Sequence, residues 1–180
     1  MKKGYLIADI NLKFDQKGNI KDDINIKGFV KDGEVKPFKK INLSKINFIF
    51  NIKNNEFEFK DINLSYDDND LKFPELRLIK QKNEFLISGK NKNKNLVLDD
   101  KRLNQLFNYD PSDIKIESAE FDLENTFSFK INNKYKIDNL KINSLMNLKN
   151  SKIVSSKNLK EFFPESSEII ELSDHQIQIE

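Results

Sequence analysis

Apolar and polar residues alternate along most of this chain, and that alternation is the tightest constraint on its fold. A period of two sends successive side chains to opposite faces of a strand, so such a chain builds sheets with one apolar and one wet face. Leu6, Ala8, Ile10, Leu12 and Phe14 share one face, and Asp9, Asn11, Lys13 and Asp15 share the other. Ile24, Ile26, Gly28 and Val30 form the next stripe, and Ile46, Phe48, Phe50 and Ile52 another. Phe57 and Phe59 follow, then Ile62, Leu64 and Tyr66, Leu71 and Phe73, Leu76 and Leu78, and Phe85 with Ile87 and Gly89. Later strands are expected over 114–123, 127–131 and 135–148, and a last one over 175–180.

Polar clusters punctuate the stripes. Turns are expected at Gln16-Lys17-Gly18-Asn19, Asp32-Gly33, Asn54-Asn55, Asp67-Asp68-Asn69-Asp70, Lys82-Asn83 and Asn132-Asn133, with Pro37 in a connection. Asn and Gly tolerate the positive φ that tight hairpins need. Several stripes slip by one residue, since Phe59 to Ile62, Phe73 to Leu76, Ile116 to Ala119 and Ile137 to Leu140 are steps of three. A bulge at each slip would keep the apolar side inward while bending the strand. Two segments depart from the pattern. Residues 98–109 place Leu103, Leu106 and Phe107 at helical spacing before Pro111, and 156–163 place Leu159, Phe162 and Phe163 so before Pro164. The expected fold is therefore all-β: a curved, mostly antiparallel, groove-like sheet with two short helices. The loose unit of paired apolar residues and a turn recurs without strict repetition, and residues 1–180 read as a single segment of a repetitive sheet protein whose sheet continues beyond it.

Composition narrows the function. Apolar residues are 37% and charged residues 33% of 180, which suits a shallow sheet better than a thick core. Net charge is +2, and almost all of the cationic side chains are lysines, with Arg77 and Arg102 the only arginines. Arginine is the usual reader of phosphates and guanine edges, so duplex binding is disfavoured. Lysines interleave with phenylalanines, as at Phe57-Glu58-Phe59-Lys60, but alternation sends them to opposite faces, which is no stacking platform for a single strand. With no cysteine there is neither a disulfide nor a thiolate metal site. No apolar run reaches the roughly 18 residues that a spanning helix needs, and Asp9 interrupts the signal-like start.

Converging catalytic groups are also missing. His175 is the only histidine and lies in a strand pattern without a nucleophile motif. Asp67-Asp68-Asn69-Asp70 offers clustered oxygens for calcium but lacks the EF-hand order, so a solvated turn is the simpler reading. Five glycines make no phosphate loop, and no carboxylate pair stands out for glycoside hydrolysis. The chain is expected to be no enzyme and to need no cofactor. Its apolar stripes remain as the signal, either as a plain sheet core or as a trough for acyl chains.

Three stretches carry a resemblance: GYLIADINLKFDQKGNIKDDINIKGFV over 4–30, INFIFNIKNNEFEFKDINLSY over 46–66 and LKFPELRLIKQKNEFLISG over 71–89, with 121–148 after them. They resemble the sheet repeats of the bacterial AsmA-like family, the TamB/YhdP type, including the ending Phe85-Leu86-Ile87-Ser88-Gly89. The resemblance implies a long β-groove with an apolar interior. It implies a protein on the periplasmic side of the inner membrane, with its anchor outside this chain, that passes phospholipid toward the outer membrane. Other envelope proteins are implied as partners. By position, the groove-facing residues it implies are Leu6, Ala8, Ile10, Leu12, Ile24, Ile26, Phe48, Phe50, Phe57, Phe59, Leu64, Leu76 and Leu78. The rivals are a structural or adhesive envelope domain with a closed core, and a β-helical polysaccharide-active enzyme. Against the second stand the hairpin turns at Asn54-Asn55 and Asn132-Asn133.

Overall fold

The computed structural model describes residues 3–21, 24–38, 41–66, 69–101, 114–155 and 169–179. They form one open sheet of nine strands. The strands are β1 (Lys3–Asn11), β2 (Asn25–Phe38), β3 (Ile41–Lys53), β4 (Glu56–Tyr66), β5 (Asn69–Lys80), β6 (Glu84–Leu98), β7 (Ile114–Asn132), β8 (Ile137–Ser155) and β9 (Ile169–Ile179). Their order in the sheet is their order in the chain. The pairings from β1 to β6, and that of β8 with β9, are antiparallel. The chain divides into two compact units, one of Met1–Lys92, Asn125–Asn143 and Glu180, the other of Asn93–Glu124 and Ser144–Ile179.

Most of the expected turns form. Asp15 closes the first: its Oδ1 accepts from the backbone N–H of Lys17 at 2.8 Å and of Asn19 at 2.9 Å, and Gly18 takes φ +83°. These bonds favour the ionised carboxyl, with the Asn19 side-chain amide foremost, and hold it below its ordinary range. Asn54, at φ 54°, turns β3 into β4. Asn132 accepts from the N–H groups of Lys134 and Lys136 and turns β7 into β8. Between β4 and β5 the last pair is Tyr66↔Asn69, so Asn69 and Asp70 belong to a strand rather than to the turn.

Asp32-Gly33 is a correction, since it lies inside β2 and not between strands. Asp32 takes φ 53°, and the β2–β3 register shifts between Val30 and Gly33. The Asp-Gly pair that signals a hairpin here makes a bulge, because both features need the same left-handed backbone. Pro37 likewise lies in β2, beyond Glu34, the last β2 residue paired with β1, and within the register shift of the β2–β3 ladder between Val35 and Phe38. The strands are longer than the alternation suggests: β7 joins two expected strands, and β8 runs on to Ser155. Of the first expected helix, Leu98 belongs to β6, Asp100 and Lys101 are helical, and the rest lies outside the described residues. The second expected helix lies wholly outside them.

Further irregularities repeat the same local chemistry. Lys45 at φ 50° precedes Ile46 in β3, and Asp61 at φ 52° precedes Ile62 in β4. Two residues after each stands an asparagine that donates to the strained residue's carbonyl, Asn47 to Lys45 at 2.7 Å and Asn63 to Asp61 at 2.8 Å. Asn47 also accepts from the N–H of Asp32 at 3.1 Å, which ties the β2 irregularity to that of β3. Pro74, which would break a regular central strand, sits at the gap in the β4–β5 ladder between Lys60↔Glu75 and Ile62↔Phe73, opposite Asp61. The irregularities of β2, β3, β4 and β5 thus line up across the sheet. On either side of the line the apolar residues stay covered: Val30, Ile46 and Ile62 are 6–8% exposed, whereas Asp32, Lys45 and Asp61 are exposed.

In the second unit Asn95 also takes a left-handed backbone, at φ 54°. Its N–H donates to Asp122 Oδ1 at 2.8 Å, and Lys149 Nζ lies 2.9 Å from the same oxygen. Lys149 also donates to the Asn95 side chain. The Lys149 ammonium, helped by the Asn95 amide, holds the Asp122 carboxyl below its ordinary range.

Two predictions follow from the irregular positions. Asp61→Gly leaves stability within about 0.5 kcal/mol, because glycine adopts the left-handed backbone freely, whereas Asp61→Val costs about 1–2 kcal/mol. Urea unfolding of the two variants measures the difference. For Asp122, a depressed folded-state value means that its ionised form stabilises the fold above the unfolded-state value and loses that contribution as pH falls through the folded-state value. Asp122→Asn is therefore less stable than the parent at neutral pH, and the gap closes on acidification below the ordinary carboxylate range. Thermal unfolding across that pH range reads it.

Candidate functional site

Antiparallel register places directly opposed residues on the same face, so the ladders assign the faces. One row runs Ile10, Ile26, Ile52, Phe57, Leu78 and Ile87, one residue from each of six strands. The next runs Ala8, Gly28, Phe50, Phe59, Leu76 and Gly89. A third, shorter row holds Leu6, Val30 and Phe48, and stops at the line of irregularities. No polar side chain interrupts these three rows.

The opposite face is chemically distinct. Its row of Asp9, Lys27, Asn51, Glu58, Arg77 and Ser88 holds two acid–base pairs, Asp9 with Lys27 and Glu58 with Arg77, each followed by a neutral polar residue. Arg77 also reaches diagonally to Glu56, at 2.8 Å. Opposed charges of this kind contribute on the order of 0.2–1 kcal/mol per pair and disfavour slipped registers. A neighbouring row begins with three exposed apolar residues, Ile7, Phe29 and Ile49, and continues as Lys60, Glu75 and Lys90.

Glycines and aromatic rings fit together on the apolar face. A Cβ on Gly28 would lie 2.7 Å from Phe50 Cζ and 2.2 Å from the carbonyl oxygen of Ile7, so the ring of Phe50 lies over a position that only glycine leaves open. A Cβ on Gly89 would lie 2.7 Å from Phe127 Cζ. A ring laid over a glycine covers backbone that the missing side chain would leave wet. Phe48 joins the cluster edge-on to Phe59, with ring centroids 5.6 Å apart, and tilted against Phe50 at 6.1 Å.

Exposure is graded along the face. Leu6 and Ile10 on β1 are 60% and 57% exposed, Phe50 is 7% exposed, and no described side chain is fully enclosed. Of the residues expected to line a groove, Ala8, Ile10, Ile26, Phe50, Phe57, Phe59, Leu76 and Leu78 stand in the two long rows, and Leu6 and Phe48 in the third. Leu64 pairs with Leu71 beyond the irregular line. Leu12 and Ile24 lie just outside the ladder, where the Ile24 carbonyl accepts from the Asn54 N–H at 3.0 Å. The expectation omits Gly28, Gly89 and Phe127. A glycine inside an apolar stripe is the signal that marks the first two, but the ring that covers it depends on register.

Other chemistry is sparse among the described residues. They include no cluster of His, Cys, Asp and Glu that could hold a metal ion, and no helix long and apolar enough to cross a membrane. Asp70, from the acidic turn segment, accepts from Ser65 Oγ at 2.6 Å, and His175 is an exposed β9 residue opposite Leu148. On the charged face a shallow depression of about 260 Å³ is lined by Lys27, Asn51, Glu58 and Lys60 around Ile49.

The graded exposure makes a quantitative expectation. Phe50→Ala costs about 3 kcal/mol in urea unfolding, near the low end for a core phenylalanine because the layer is thin. Ile10→Ala, on the open end of the same face, costs under about 1 kcal/mol.

No protein-family model, no curated protein and no solved structure matches the chain.

Proposed function

We propose that this chain is a segment of an AsmA-like envelope protein and that its apolar sheet face carries phospholipid acyl chains. The observation that supports this reading most is the pair of unbroken apolar rows across six strands, backed by a row of charged and polar residues. A continuous apolar band wide enough for several side chains offers an acyl chain about 0.8 kcal/mol per buried methylene at any point along it. Head groups stay in water at the rim. Such a surface needs no covalent chemistry and no cofactor, because movement along it exchanges one apolar contact for an equal one. The aligned irregularities of β2 to β5 would curl the first unit around its apolar side and so shape a groove, since bulges raise local twist. The site of action under this reading is the periplasmic side of the inner membrane, with the anchor outside this chain and other envelope proteins as partners.

One observation favours a second reading, a structural or adhesive envelope domain with a closed core. Val30, Phe50 and Ile62 are already 6–8% exposed, as core residues are. That reading keeps the rows as packing and assigns them no ligand.

Native mass spectrometry of the purified chain, with lipid extraction of the same sample, separates the two. Lipid transfer predicts co-purified phospholipid. It is lost on Leu6→Asp or Ile10→Asp, which place a charge on the exposed end of the apolar face without burying it, and kept on Lys31→Glu on the charged face. A folded chain free of lipid, or equal loss from changes on both faces, supports the closed domain instead.

A further inference from the structure

Three hairpin tips of the first unit stand side by side: 53–56 between β3 and β4, 80–84 between β5 and β6, and 132–138 at the turn from β7 to β8. Strands that alternate in direction bring every second connection out at the same end of a sheet. Backbone bonds pin the tips to one another. The Lys80 N–H donates to the Asn55 carbonyl at 2.8 Å, and the Asn133 N–H donates to the Asn83 carbonyl at 3.2 Å. Lys53 lies on the first tip, Lys80 and Lys82 on the second, and Lys134 and Lys136 on the third, all exposed. Among the described residues none of these lysines is in an ion pair. The neighbouring acids are largely neutralised, since Glu56 pairs with Arg77 at 2.8 Å and Glu84 with Lys130 at 2.7 Å, which leaves Asp138. The tips therefore form a positive ridge on a chain whose overall balance is only +2.

Tyr135 stands on the third tip between two of the lysines. It is 87% exposed and takes φ 59°. A left-handed turn position favours Gly or Asn, and a bulky side chain there is uncommon. The ring gains almost no packing in return, and the turn is closed by Asn132, whose Oδ1 accepts from the N–H groups of Lys134 and Lys136. Neither turn geometry nor core packing accounts for an aromatic residue at this point. We propose that the ridge of tips seats on the head-group surface of an anionic lipid bilayer, with the Tyr135 ring in the interfacial layer and the lysines facing the phosphates. A tyrosine ring has an apolar body and a polar tip, which suits that layer. Lysines near an anionic surface are drawn to it over about a Debye length, so a row of pinned tips acts together. Single-stranded nucleic acid would meet the same cations, but stacking a strand needs successive rings. Tyr135 is the only aromatic in the three tips, and they hold no arginine. The contact is made by turns and not by the apolar rows, so it does not rest on the acyl-chain reading.

Co-sedimentation of the full chain with vesicles tests this, comparing neutral phosphatidylcholine with a mixture that is roughly one-third phosphatidylglycerol. The expected result is binding to the anionic vesicles alone, weakened by added salt. Lys134→Gln and Lys136→Gln each weaken it about fivefold, the contribution of one lysine near such a surface. Tyr135→Asn also weakens binding, yet leaves the urea midpoint at or above that of the parent, because Asn accepts the left-handed turn. The chain holds no tryptophan, so Tyr135→Trp introduces a single reporter, whose emission shifts to the blue on anionic vesicles. Leu6→Asp, on the apolar face, leaves vesicle binding unchanged, which separates this contact from the acyl-chain reading. Four results each overturn the inference: no binding to anionic vesicles, equal binding to neutral ones, binding that ignores the lysine changes, or binding without a shift in the Tyr135→Trp emission. The last would mark a general affinity for polyanions, which single-stranded DNA would then share.

Discussion

Each strand that contributes to the apolar rows has to keep those side chains on one face while its neighbours do the same, and this parity constraint governs the fold. A strand that gained or lost one residue would turn its whole set outward. The chain meets the constraint across strands by lining up its departures. Asp32, Asp61 and Pro74 fall close together across the ladders, around Asn47 of β3, with Lys45 two residues before that asparagine, so the face changes course in one region on four successive strands. The left-handed backbone at three of these costs energy in any residue but glycine. Asn47 and Asn63 recover part of it by donating to the carbonyl of the strained residue, and Asn47 links two strands at once.

What the line of irregularities shapes, the apolar rows fill. The covering is one layer deep, so aromatic rings do much of it: Phe48, Phe50 and Phe59 pack on one another, and Phe50 and Phe127 lie over glycines. A thin layer of this kind grades from covered at its middle to open at β1. The same grading bears on both functional readings, since the covered part has the exposure of a core and the part at β1 that of a surface.

Much of this architecture is legible in the residues alone. The stripes identify the strands and the face each residue takes, because parity within a strand is local information. Ten of the residues expected on the apolar face stand together in its three rows. Steps of three mark two of the sites of positive φ, Asp61 and Asn139. The misses arise where one local signal serves two structures. Asp32-Gly33 has the composition of a hairpin turn, and only the partner strand makes it a bulge. Leu12 and Ile24 continue their stripes in sequence, yet the ladder ends just before them, a limit set by β1 and β2 jointly. The alignment of Gly89 with Phe127 spans two strands and the connection between them, and no pattern within either strand encodes it.

The sheet order itself has a consequence for how the chain is made. Each strand lies beside the one before it, and hairpins of two or a few residues join most of the first six. Loop-closure entropy is lowest for such neighbours, so low contact order favours rapid, local assembly. A chain delivered from its N-terminal end can add strands in the order they appear, each using the edge left by its predecessor as a template. Folding then needs no distant segment to wait for, and at every stage the growing edge is the part of the molecule most open to a wrong partner.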